Sequence, residues 1–393
     1  MKKISFITIV LALSLVFTAC STTNEAKLYN AFLKTQDITS MESEGEINLS
    51  LELKDFPEEI QGQLEEVNNS LKNLKFNINT KQQTVNKEKT KSMVEMITAM
   101  DFNEMKMDMN TWVDADFSTD EPKMIAVLKM PQILMNEIPS EDGDNKEYIL
   151  YDYIKMLNLT QEEINMDELI KSSKDINEKA LEFMKDYHKD FNPGFPIATY
   201  KGQRTEDKNV LSIYEVKLDD KTFKSLIRYI GNDSIENENN IKFFKEYMDL
   251  VLDIAKIPET EKLETLSELE NLKKNLPELK NEFNKFMDTL EDVKILGEEG
   301  IVIEYAVNKD GYIVEEKGKV AIDLDLKALG KVFEEKLLVE NAGKVKLNIS
   351  FNTKISKINQ KVEINIPQVN KENAINFNEL LETNIEQIEK TVE

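Results

Sequence analysis

The chain has 393 residues, a formal charge of −24, one cysteine and one histidine. Fifty basic residues against 74 acidic ones oppose binding to duplex nucleic acid, which needs clustered Lys and Arg along the phosphates. One cysteine builds no disulfide framework and, with a single histidine, no zinc site. Twelve glycines argue against nucleotide enzymes built on Gly-rich turns, whereas 40% hydrophobic residues suffice for a substantial core.

The N-terminus reads as an address. Lys2 and Lys3 precede an apolar run from Ile4 to Phe17, and Phe17-Thr18-Ala19 supplies small residues just before Cys20. The run is too short and wrongly flanked for a retained transmembrane helix, so residues 1–19 are expected to be a signal peptide. The ending resembles the lipobox of bacterial lipoproteins, in which the cysteine is lipidated and becomes the mature N-terminus. That resemblance implies a palmitate-type acyl anchor on Cys20, a short tether over 20–25, and a place on the extracytoplasmic face of a bacterial cell membrane. Without Lys2 and Lys3 the mature charge is −26, which anionic lipids repel. The anchor, not the domain's surface, is therefore expected to hold the protein down.

Residues 26–36 read as a helix with Leu28, Ala31, Phe32 and Thr35 on one side. The period then changes to two. Gly45, Ile47, Leu49, Leu51 and Leu53 alternate with polar residues, as do Leu74, Phe76 and Ile78; such alternation predicts half-buried strands. Further strands are expected at 91–99, at Met105, Met107 and Met109, and from Met124 through Ala126 and Leu128 to Met130, where Pro131 stops the run. The middle, about 150–293, is mainly helical: 160–190, 219–229, 238–256 and 260–293, with Pro277 dividing the last. Two strands interrupt it at 197–203 and 209–217. Strands return at 301–307, 320–326, 345–352 and 362–366, the first leading into the turn Asn308-Lys309-Asp310-Gly311.

About eleven strands with one apolar and one polar face predict an α+β fold, a large antiparallel sheet covered on one side by the helical middle. One domain is expected over 26–370, followed by a helical or frayed tail at 371–393. This order resembles the LolA/LppX-like lipoprotein-carrier fold. The resemblance is carried by Gly45 to Leu53, the Met105–Met109 strand with Thr111-Trp112-Val113-Asp114, the Pro122–Pro131 run, and Asn348 to Phe351 with Ile358 to Pro367, which looks like the closing hairpin of similar Gram-positive lipoproteins. It implies a strongly curved half-barrel with helices on its concave face, and an apolar cavity between them that holds acyl chains.

Nine methionines fall within residues 93–135. A flexible, polarizable thioether suits ligands of variable shape, so Met105, Met107, Met109, Met124, Leu128 and Met130 are the expected wall of an apolar-ligand cavity. Packing under helices explains the same spacing, and Cu(I) is chemically compatible with methionine sulfurs. Trp112 has the opposite parity and is expected on the outer side. Asp114, Asp116, Ser118 and Asp120 open like a calcium loop, but Thr119 stands at the glycine position and Ile125 where a bidentate Glu is needed. The acidic stretches Glu141–Asp144 and Glu236–Glu238 read as solvated loops, and His188 as a surface residue. No nucleophile, metal or phosphate motif appears, so no cofactor, metal or catalytic residue is expected. The leading expectation is a non-enzymatic lipid-anchored protein that binds lipid or another apolar ligand. The alternative is an envelope protein that docks an unspecified protein partner through its acidic helical section, without a cavity.

Overall fold

Alternating apolar and polar side chains make long strands here. The computed structural model describes residues 23–85, 90–102, 105–119, 122–136, 138, 146–159, 166–254, 257–333 and 343–381. Twelve strands lie in one open sheet: β1 (Ser40–Lys54), β2 (Leu74–Thr84), β3 (Lys91–Phe102), β4 (Met105–Asp116), β5 (Lys123–Lys129), β6 (Tyr148–Asp152), β7 (Ala198–Glu206), β8 (Asn209–Leu218), β9 (Leu296–Val307), β10 (Ile313–Asp325), β11 (Lys344–Ser356) and β12 (Ala374–Asn376). Their spatial order is β12-β6-β5-β4-β3-β2-β1-β11-β10-β9-β8-β7. The pairing is antiparallel except that β12 runs parallel to β6. The fold is α+β, as the alternation predicts.

The helices are α1 (Thr23–Gln36), α2 (Glu58–Leu71), α3 (Gln132–Met135), α4 (Tyr153–Leu159), α5 (Met166–Asp190), α6 (Asp220–Glu236), α7 (Glu238–Ile254), α8 (Glu259–Lys274), α9 (Leu276–Thr289) and α10 (Leu326–Phe333), and residues 377–381 of the tail are helical as well. Pro277 sits at the start of α9 and divides the expected 260–293 helix in two. Asp219 caps α6 by accepting from the Thr222 N–H at 2.7 Å, satisfying one of the donors that a helix start leaves orphaned.

The chain forms two compact units. The first comprises the described residues within 23–35, 50–72 and 167–350. Its core gathers Leu28 and Ala31 of α1, Leu218 of β8, Leu226 and Ile230 of α6, and Ile303 and Tyr305 of β9, all buried. α6 packs on β8 and β9, and α9 packs on α6. Between those two helices, Arg228 pairs with Asp288 at 2.7 Å, and the Asn232 and Asn284 amides exchange hydrogen bonds at 2.7 and 3.1 Å. β9 and β10 meet at the expected turn, where the Asn308 side chain accepts from the N–H groups of Asp310 and Tyr312, both at 3.0 Å. Gly311 there has φ +85°, a conformation open to glycine and costly for most other residues.

The second unit comprises the described residues within 36–49, 73–166 and 351–381 and carries the β2–β6 meander. α4 lies against β5. At the β5–β6–β12 margin, Met135, Ile149 and Ile375 form a buried cluster, with Leu128, Met130, Ile138, Tyr151, Phe377 and Leu380 packed on it.

Several expectations change. β6 and β12 add strands where none was expected, and α2 and α10 are additional helices. Residues 362–366 are not a strand, so the closing hairpin after β11 does not form. Instead the Val362 N–H donates to the Gln83 side chain at 2.9 Å, and Asn359 accepts from the Thr39 N–H. β2, which carries Gln83, already has β3 and β1 on its two sides, which leaves no margin there for another strand. β12 falls in the expected tail, of which residues 382–393 lie outside the described residues.

Candidate functional site

The ladder registers decide which side chains share a face, because opposite residues in a sheet point the same way and the period is two. Across β3 and β4, Met105 faces Phe102, Met107 faces Met100, Met109 faces Thr98, and Thr111 faces Met96. Phe76 of β2 continues the row beyond Met100. On the other flank Thr111 faces Leu128, Val113 faces Ala126, and Ala115 faces Met124. Met105, Met107, Met109, Met124 and Leu128 therefore share one sheet face, as their alternation predicts. Met130 sits one residue past the end of β5.

Their environments differ. Leu128 and Met130 pack against the Met135–Ile149–Ile375 cluster, so that margin is filled by the chain itself. Met107 and Met124 are half-buried. Met105 is 48% exposed and Met109 36%, so both hold apolar surface in water. The six residues divide into a packed end on β5 and an open end on β4. The row also includes Met96, Met100, Phe102 and Phe76, which the sequence reading did not assign to it. The signal was weak because β3 carries apolar residues on both faces: Ile97 and Ala99 stand opposite Val94, Met96 and Met100.

The reverse face is charged and paired. Lys75 meets Glu46 at 2.7 Å, Lys81 meets Glu95 at 2.8 Å, Lys91 meets Asp116 at 2.7 Å, and Lys123 meets Asp114 at 2.5 Å. Lys91 and the Ser118 hydroxyl hold the Asp116 carboxyl down at about 2, the direction expected when hydrogen bonds favour the charged form. Asp114 and Asp116, which open like a calcium loop in the sequence, are consumed in these pairs within β4; Asp120 lies outside the described residues. Trp112 is on this reverse face, as its parity predicts, with its ring edge-on to Tyr148 at 6.4 Å. Among the described residues no group of three or more His, Cys, Asp or Glu is placed to hold a metal ion.

His188 is not the simple surface residue expected. Its ring stacks on Tyr29 of α1 at 3.8 Å. Burial first, and then the Asp186 carboxylate, push the Tyr29 phenol up to about 12. Cys20, the signal region 1–19, residues 21–22 of the tether and the acidic stretch Glu141–Asp144 lie outside the described residues, whereas residues 23–25 of the expected tether are the start of α1, with Glu25 buried. Glu236 ends α6 and Glu238 begins α7, so the second acidic stretch is a one-residue link at Asn237, which is extended, between two helices and not a longer loop. No described helix is long and apolar enough to cross a membrane.

No family model and no curated protein matches this chain. Among solved structures it is similar to a DUF1329 family protein from Desulfovibrio piger, with 7% sequence identity over 88% of this chain and 96% of that one, and a TM-score of 0.18. A likeness of that degree assigns no superfamily.

Proposed function

We propose that this chain is a non-catalytic, lipid-anchored extracytoplasmic binding protein that takes an acyl chain or similar apolar ligand on the open methionine face of β3 and β4. One observation carries the reading: Met105 and Met109 keep 48% and 36% of their surface in water on a face whose reverse side is a ladder of ion pairs. Apolar area left in water forgoes roughly 25 cal/mol per Å², and a ligand that covers it recovers that energy. Methionine, unbranched with three rotatable bonds, adapts to a chain of no fixed shape. The lipobox-like ending at Cys20 supports the anchor. The one-sided antiparallel sheet supports the LolA/LppX-like resemblance.

The test is uptake of a fluorescent fatty acid, together with mass spectrometry of organic extracts of the purified protein. The expected outcome is about one ligand per chain, weakened at least about tenfold by Met105→Glu with Met109→Glu, because a carboxylate on the face loses solvation when the ligand covers it. Protein that yields no lipid and takes up no fatty acid overturns the reading. It would favour instead a partner-docking role for the helical section, where Phe244 and Tyr247 of α7 are exposed.

A further inference from the structure

We propose that the methionine face of β3 and β4 also binds a soft monovalent metal ion, Cu(I), through thioether sulfurs alone. The inference uses the same sheet face as the apolar-ligand reading but does not depend on it, and the probes differ. Met100 and Met107 stand directly opposite one another in the ladder. Met105 and Met109 lie two residues to either side of Met107 on the same face. Opposed residues of an antiparallel pair are about 4.5–5.5 Å apart at Cα, and i, i+2 neighbours about 7 Å apart. Four long, flexible side chains thus arise from one small patch, enough for three sulfurs to converge on one ion.

The patch selects by hardness. The row of β3 on this face reads Ser92, Val94, Met96, Thr98, Met100 and Phe102, and the row of β4 reads Met105, Met107, Met109, Thr111, Val113 and Ala115; neither holds a charged group. A hard cation finds no carboxylate there, whereas thioethers favour Cu(I) among biological metals. Core packing alone would place these methionines out of water, yet Met105 and Met109 are exposed. The strongly negative chain raises the local cation concentration. A thioether has no proton to lose, so binding should not depend on pH through the range in which carboxylates and histidine titrate.

The experiment uses the full chain carrying Cys20→Ser, so that no thiol competes, under anaerobic conditions with Cu(I) shared between protein and a chromogenic chelator. The expected result is one Cu(I) per chain, held equally between about pH 5 and pH 7.5. Met100→Leu with Met107→Leu, a volume-conserving change, should weaken binding at least about tenfold. Met105→Leu with Met109→Leu, on exposed positions that do not threaten folding, should do the same. Met93→Leu should have no effect, because Met93 faces Asp114 on the reverse side. Failure to compete with the chelator, an equal loss in Met93→Leu, or release on acidification to about pH 5 would each overturn the assignment. Fatty-acid uptake without Cu(I) retention would sink this inference and leave the apolar-ligand reading standing.

Discussion

Glu25, in the first turn of α1, accepts hydrogen bonds from the backbone N–H groups of Ile197 at 2.6 Å and Ala198 at 3.3 Å. The carboxylate is 3% exposed and ties the first described helix to the start of β7, 172 residues away. α1 is held further along by Phe32, edge-on to Tyr305 at 5.0 Å, and by Thr35, whose hydroxyl accepts from the Ile313 N–H at 3.1 Å. Glu25→Ala leaves two buried N–H groups without this acceptor and is expected to cost about 2 kcal/mol. Glu25→Gln keeps an oxygen in place and should cost less. Urea denaturation of the three proteins checks both; an unchanged midpoint for the alanine variant contradicts the role given to Glu25.

Gly231 of α6 lies against the Phe283 ring of α9. A Cβ built there would lie 2.2 Å from the Phe283 ring, well inside contact distance. Gly231→Ala is therefore expected to destabilise by about 1–3 kcal/mol despite alanine's better helix propensity. Adding Phe283→Leu should return part of the loss. A thermal unfolding series that shows Gly231→Ala to be neutral or stabilising would refute this close packing.

Tyr305 and Glu316 are direct partners across the β9–β10 ladder. The Tyr305 phenol donates to the Glu316 carboxyl, and burial pushes the phenol far above its ordinary range. Burial also raises the Glu316 carboxyl, against the opposing effect of that hydrogen bond. The folded chain thus holds this proton more tightly than the unfolded chain does. The resulting stabilisation is complete below the ordinary Glu value of about 4.3 and is lost as pH rises through the raised one. Glu316→Gln should accordingly be more stable than the parent at about pH 7, and the gap should close at about pH 4. Denaturant midpoints at the two pH values measure it; a gap that widens on acidification reverses the sign argued here.

Cys20→Ser is expected to move the full chain from the membrane fraction to the soluble fraction and to remove the acyl mass from the N-terminal peptide. One acyl chain alone gives marginal binding, with an affinity of about 10⁴ M⁻¹, so partial release would point to a singly acylated cysteine. Unchanged fractionation and processing in the serine variant would rule out the anchor.

Much of this fold was legible because most strands have one wet face. Gly45 to Leu53, Met105 to Met109 and Val345 to Phe351 alternate cleanly, and each lies in a strand of the sheet. What escaped notice lacked that contrast. Tyr148-Ile149-Leu150-Tyr151 is apolar on both faces and short, and β12 spans three residues fixed by a partner more than two hundred positions away. Val362, Ile364 and Ile366 alternate as well as any strand, but alternation reports a half-buried surface, not a free hydrogen-bonding margin, and none is left beside β2, where Val362 sits. Ile60, Leu64, Val67 and Leu71 carry the helical spacing of α2 and were readable. For the site, parity separated the methionines from Trp112. Packing of Leu128 and Met130 depended on the distant Ile375 and Phe377, which no local pattern reveals.

The position of β1 between β2 and β11 constrains how the protein is made. A chain delivered N-terminus first can zip β2 through β5 onto β1 early, but the other margin of β1 stays bare until roughly three hundred further residues have emerged, and pairings so remote in sequence form slowly. Through that interval the nascent sheet offers an unpaired edge and a methionine-rich surface together, a combination prone to self-association. Biogenesis of this protein should therefore depend on a holding chaperone more heavily than its finished stability would suggest.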